Sequence, residues 1–181
     1  MATLAESRYL ACRKFPYLSH GIIGLIPVPT EGIGTLATSK DAVMHYDPKV
    51  ESWPAQELAS GLVHEVMHLV LDHFTLREEI KADPVIWNLA GDLVINQMLL
   101  AAQCKLIQGA IVPATFKLKP GLTVYEYYNL LLKQAKQITI TACCGSASGN
   151  PHEKEGQDQG RSKAEVEVMK RQIALDIKEH A

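Results

Sequence analysis

Three features that would narrow a function at once are scarce in this sequence: an unbroken apolar run near the start, an excess of charge of one sign, and a spaced set of cysteines. Residues 1–18 carry Glu6, Arg8, Arg13 and Lys14 at intervals, which leaves no room for the apolar region of a signal peptide or for a membrane span. A cytoplasmic protein without a membrane partner is the expectation. Eighteen Lys and Arg stand against twenty Asp and Glu, a formal net charge of −2, so there is no basic field to hold nucleic acid. Of the four cysteines, Cys12 and Cys104 stand alone and Cys143 and Cys144 are adjacent. A small secreted domain would space them as a framework, so free thiols are expected. No internal repeat is present.

What the chain does have is 181 residues at 47% hydrophobic content, enough for one domain with a real core and too little for two. The expected division is a domain over residues 1–142, a flexible loop over 143–161, and a C-terminal helix over 162–181. The loop reading follows from a stretch rich in Gly, Ser, Asn, Gln and charge, which cannot bury enough apolar surface to order itself. Before it, residues 2–18 suggest a first helix ending near Pro16. From Gly21 the texture changes to short apolar runs punctuated by Gly, Pro and Asp, over 22–29, 35–38 and 42–46, which predicts two or three short strands. Pro27 and Pro29 confine the first of these to a sheet edge or a strand end.

Ser52-Trp53-Pro54 then opens a helix predicted to run to about residue 75. Asp83-Pro84 opens a second over residues 85–100, with Asp as cap and Pro in the first turn. Thr123-Val124-Tyr125-Glu126 is a capping box leading a third helix over 125–136, and Ser162-Lys163-Ala164-Glu165 is another opening the last. That last helix has a narrow apolar stripe of Val166, Met169, Ile173 and Ile177, which needs a partner surface.

The chemistry concentrates in His64-Glu65-Val66-Met67-His68, a His-Glu-x-x-His pattern inside the first of these long helices. At about 3.6 residues per turn the two histidines lie on one face and can grip one ion. Glu65 is turned about 100° from His64, poorly placed to be a ligand but well placed to reach a water on the metal as a general base. A catalytic Zn²⁺ takes three protein ligands as a rule, and the sequence offers two candidates for the third. Asn88, Asp92 and Asn96 form a polar stripe on an otherwise apolar helix, and an ionised Asp there is costly unless paired or bound to metal. Asp92 is the preferred ligand on that ground, with Asn88 and Asn96 as outer partners; pairing with a buried Arg or capping a neighbouring backbone is its bland alternative. His73 is the rival. On an unbroken helix it points about 180° away from His64, so it reaches the ion only if the helix breaks after His68, and no Gly or Pro lies between to break it. A structural or outer-partner role is its reading. Asp72, one turn after His68, either orients that imidazole or is a solvated surface group. Cys143, Cys144 and His152 have ligand chemistry without ligand spacing, and His45, Tyr46, Tyr125, Tyr127 and Tyr128 are weak candidates for an oxyanion donor.

These residues resemble a known family, the metallopeptidase domain that precedes a von Willebrand factor A-like domain in bacterial proteins. The matching segments run from His64 through His73, then Trp87-Asn88-Leu89-Ala90-Gly91-Asp92-Leu93-Val94-Ile95-Asn96, with a looser match at residues 144–149. The resemblance implies a zincin-like catalytic domain, often encoded near a MoxR-type ATPase, with no well-established substrate. The family's pattern also includes a histidine at the position of His73. The chain stops at Ala181, where the downstream domain would begin, so either a piece of a longer protein or a stand-alone relative is expected.

The fold expected is α+β and zincin-like: a small, partly antiparallel sheet, the motif helix beneath it, and a second helix bringing Asp92 to the metal. The function expected is zinc-dependent peptide hydrolysis, with His64, His68 and Asp92 as ligands and Glu65 as base, acting on a peptide or protein. The alternative is a non-catalytic, metal-stabilised module that docks a partner chain or ATPase. Hydrolysis of a non-peptide amide would use the same residues.

Overall fold

In a computed structural model the chain is described over residues 3–134 and 160–180. All but the last two residues of the expected 143–161 loop, and with them Cys143, Cys144 and His152, lie outside the described residues. Among those described, seven helices and a three-stranded mixed sheet make an α+β arrangement.

The Thr3 hydroxyl accepts from the Glu6 amide at 3.1 Å and starts α1 (Leu4–Lys14), which stops short of Pro16. A single 3₁₀ turn, Pro16–Leu18, then leads into α2 (Ser19–Gly24). Here the sequence reading needs correction, because Ile22 and Ile23 are helical and the strand begins only at Ile26. One buried and one exposed neighbour (Ile22 0%, Ile23 61%) fits either period over so short a span. Contacts from far along the chain select the helix. Gly21 and Gly24, three residues apart, lie where a Cβ would come 2.6 Å from Val66 Cγ1 and 2.5 Å from Met169 Sδ, so both are seats for other helices.

The sheet comprises β1 (Ile26–Pro29), β2 (Leu36–Thr38) and β3 (Val43–Tyr46) in the order β1-β3-β2. β1 runs parallel to β3, with Ile26 opposite Val43, and β2 runs antiparallel to it, with Leu36 opposite Tyr46. The two prolines fall on an edge strand, where their missing amides cost no ladder bond. Asp47, 2% exposed, fastens the approach to β2: its carboxylate accepts from the amides of Gly32, Gly34 and Lys49 at 2.9–3.0 Å. That shared bonding holds its carboxyl below the usual range.

α3 (Ala55–Val70) is the central helix, with every residue from Leu58 to Leu69 buried. Ser52 does not cap it as expected. The Ser52 hydroxyl donates to the Lys49 carbonyl in a 3₁₀ turn (Pro48–Ser52), and Pro54 is the residue before α3. Nor does α3 reach residue 75. It ends at Val70 with Leu71 as its C-cap, Asp72 turns left-handed at φ 56°, and α4 (His73–Ile80) begins. α5 (Pro84–Ala101) is capped by Asp83 as expected, the Ile86 amide donating to its carboxylate at 2.9 Å. The box of Thr123 and Glu126 opens α6 (Val124–Gln134), and that of Ser162 and Glu165 opens α7 (Lys163–His180). The surface that α7 needs is α2 and α3: Met169 fills the space over Gly24 and Ile173 the space over Gly21 and Val66, while Ile177 stays 39% exposed. Among the described residues no helix is long and apolar enough to cross a membrane.

Candidate metal centre

Helical spacing brings His64 and His68 to one face of α3, and the polar stripe of α5 meets that face. His64 Nε2 and His68 Nε2 are 3.0 Å apart, and each is 3.2 Å from Asp92 Oδ1. All three are buried, at 7%, 0% and 2% exposure, and form the one group of metal-ligating side chains among the described residues.

The far nitrogens decide what this cluster can hold. His64 Nδ1 lies 3.0 Å from Asn96 Oδ1, and the same amide donates through Nδ2 to the Ile111 carbonyl at 2.8 Å. That second bond fixes which end of Asn96 faces the ring, so His64 Nδ1 carries a proton and its neutral Nε2 is a bare lone pair. His68 Nδ1 sits 3.0 Å from His73 Nδ1. Burial and the neighbouring His68 push His73 down to about 3, so His73 is neutral and can accept the one proton between them. With the shared proton on His68 Nδ1, its Nε2 presents a lone pair as well. Two lone pairs and a carboxylate oxygen this close repel one another unless a positive charge sits among them. The site asks for that charge in its proton equilibria too: burial lowers His64, but Asp92 and Glu65 outweigh it and raise the ring above its ordinary value. Burial likewise raises Asp92, and the two imidazoles beside it outweigh that and lower the carboxyl. Two neutral imidazoles and one carboxylate fit a divalent cation.

A family model described as "Putative metallopeptidase domain" matches residues 4–181. The chain belongs to this family. A relative from Thermotoga maritima, named only as an uncharacterized protein, is 32% identical over 102 residues, covering 54% of this chain and 26% of its own length. The chain thus spans about a quarter of that curated relative. No solved structure matches.

Within this domain, His73 points in a different direction from the one expected of it. The expectation rested on an unbroken helix, and the break at Asp72 swings His73 back under the motif, against His68 on the side away from Asp92. No glycine or proline makes the break. Asp is one of the few residues that adopts the left-handed region without large cost, and the Asp72 carboxylate accepts from Thr75 Oγ1 and from Lys170 Nζ, both at 2.8 Å. Burial raises the Asp72 carboxyl, and these two bonds more than reverse that. Asp72 therefore does not orient His68; His73 does. Trp87 holds His73 in turn, its indole nitrogen donating to the His73 carbonyl at 2.8 Å. Gly91 makes the room, since a Cβ there would lie 2.7 Å from His73 Nδ1 and 3.4 Å from His68 Cε1.

Beside the three ligating groups is a cavity of about 230 Å³ that His64, Glu65, Asp92 and Asn96 all reach. Residues 33–36 border it on the sheet side and residues 106–111 on the other. Glu65 is 1% exposed and so faces this cavity and not bulk water. Of the other candidates, the Tyr127 hydroxyl donates to the Lys119 carbonyl, the Tyr128 hydroxyl accepts from the Asp83 amide, and His45 pairs with Thr30. None of these, nor Tyr46 or Tyr125, lines the cavity. The roles of Gly91 and of residues 106–111 were missed in the sequence. Gly91 was visible as a glycine inside a helix, which signals a packing reason, while the 106–111 wall carries no periodic signal.

Proposed function

We propose that this domain is a zinc-dependent peptidase of zincin-like arrangement, in which His64, His68 and Asp92 hold the ion and Glu65 is the general base. The observation that carries the reading is the convergence of three buried donor atoms beside a cavity that Glu65 also faces. A zinc ion held there would polarise the scissile carbonyl and make an adjacent water acidic. Asn96 and His73 keep the two imidazoles in the tautomer and orientation that present Nε2. Glu65 takes the proton of the attacking water and passes it to the leaving amine. β2 is an edge strand, and residues 33–36 leading into it border the cavity, so an extended peptide can pair along it. The apolar remainder of the cavity limits access of bulk water.

An open cavity next to the three donors favours turnover over a closed structural site, which would fill the fourth position with protein. A von Willebrand factor A-like domain, a MoxR-type ATPase and a cytoplasmic setting remain part of the proposal as its context. The test is metal content by mass spectrometry with cleavage of a broad peptide library, on the parent and on Glu65→Gln. About one zinc per chain in both proteins, with hydrolysis in the parent alone, is expected. Parent-level hydrolysis by Glu65→Gln would remove Glu65 as base.

A further inference from the structure

Asn96 stands on α5 one turn after Asp92, and its carboxamide is used at both ends. The oxygen faces His64 Nδ1 at 3.0 Å, and the nitrogen donates to the Ile111 carbonyl at 2.8 Å. The first contact orients a ligand. The second reaches a different object, the stretch of residues 106–111 that walls the cavity opposite the sheet.

That wall has no regular structure to hold its shape, since residues 104–112 form neither helix nor strand. The Ala110 amide donates to the Ile107 carbonyl at 3.1 Å and the Val112 amide to Thr115 Oγ1 at 3.1 Å, and both of these bonds stay within near neighbours in sequence. Neither ties the stretch to α3 or α5. Apolar contact supplies one tie: a Cβ on Gly61 would lie 3.5 Å from Ile107 Cγ2, so Ile107 rests on α3 three residues before His64. Asn96 supplies a polar one. Ile111 is 8% exposed and Asn96 4%, and a bond left unmade between buried groups is costly. Leu106, Ile107, Ala110 and Ile111 all line the cavity, so the seat of this stretch decides the shape of the space beside the ligands.

The chemistry of residue 96 separates the two tasks. For His64 alone an aspartate would serve better, because a carboxylate accepts the Nδ1 proton more strongly and makes the imidazole a better ligand. A carboxylate has no N–H, however, and would set two acceptors against each other at the Ile111 carbonyl. Of the side chains of this length, the carboxamide alone accepts from the ring and donates to the wall. We infer that Asn96 is a positioning residue for substrate as well as for metal: through Ile111 it seats the 106–111 wall, and with it sets the fit of an apolar group entering the cavity. This rests on the peptidase reading and adds to it a residue that governs substrate fit from outside the reacting atoms.

The test compares Asn96→Asp and Asn96→Ala with the parent, each loaded with one equivalent of zinc at neutral pH. Zinc affinity is read by competition with a chromogenic chelator, and the wall by hydrogen exchange at the Ala110 and Val112 amides. Fit is read by calorimetric titration with acetohydroxamate and with isocaprohydroxamate, which is the same anchor extended by an isobutyl group. Asn96→Asp is expected to hold zinc at least as tightly as the parent, while the Ala110 and Val112 amides exchange about two- to tenfold faster and those of α1 do not change. Acetohydroxamate should bind it as it binds the parent. The gain of roughly tenfold or more that isobutyl brings in the parent should fall to about threefold or less. Asn96→Ala, which can do neither task, should weaken zinc by about 10- to 100-fold and loosen the wall in the same way; if Asn96→Asp does not fold, this exchange decides. Parent-level exchange at the two amides in either folded variant, or an undiminished isobutyl gain in Asn96→Asp, overturns the inference and leaves the metal site standing. Failure of the parent to bind zinc and acetohydroxamate overturns the metal reading and the substrate role together.

Discussion

Asp92 and His73 contribute to the same cluster through different atoms, and substitution separates them. Asp92 Oδ1 faces both Nε2 atoms, so Asp92→Ala removes one of three donors and should abolish stoichiometric zinc binding. His73 touches only the far side of His68, so His73→Ala should keep the metal and weaken it by about 10- to 100-fold, the usual cost of losing an outer partner. Competition against a chromogenic chelator ranks the two, and the reverse order would make His73 the ligand. Gly91→Ala offers a third residue-scale test, because the added methyl falls 2.7 Å from His73 Nδ1. It should disturb the His68–His73 pair and lower metal affinity, with a stability loss of about 1–3 kcal/mol, the typical cost of overpacking. A Gly91→Ala protein with parent-level affinity would show that this contact is slack.

At the scale of elements, three helix starts were legible because their caps are local. Asp83, Thr123 with Glu126, and Ser162 with Glu165 all bond within three residues of themselves. The α3–α4 break was not legible, since what steadies Asp72 in its left-handed turn includes Lys170, 98 residues away. Likewise the α2 helix depends on Val66 and Met169. The meeting of His64, His68 and Asp92 was readable for the opposite reason: a period of one turn and a lone charge on an apolar helix are visible without any tertiary contact. The Lys170–Asp72 pair gives an element-scale prediction. Both groups are partly exposed, at 20% and 45% for the side chains, so the pair contributes at most about 1 kcal/mol. Lys170→Met should weaken metal binding about two- to fivefold, which is that energy as a ratio. Asp72→Gly removes the need for a stabilised left-handed turn, and in that background Lys170→Met should have no further effect. An additive loss would mean that Lys170 acts on the domain generally.

For the molecule as a whole, acid sensitivity has an identifiable contributor outside the metal centre. Asp47 has its carboxyl lowered in the fold by amides of Lys49, Gly34 and Gly32. A depressed folded value means that its stabilisation is present above the unfolded value of about 3.9 and is lost as pH falls through the folded one. Asp47→Asn should therefore lower the melting midpoint at pH 7, and the gap to the parent should close as pH drops below about 4. A gap that is constant with pH would assign the effect to packing and not to charge.

The docking of α7 has a consequence in time. Donor atoms, base and outer partners all lie between residues 64 and 96, yet the turn that aims His73 is clasped by a lysine at position 170. During synthesis the ligands leave the ribosome well before their clasp does. A nascent chain released before residues 160–180 should capture zinc loosely and exchange it freely, and arrival of the last helix should tighten the hold. Maturation of the centre would then wait on α7, the described helix farthest from the histidine pair in sequence.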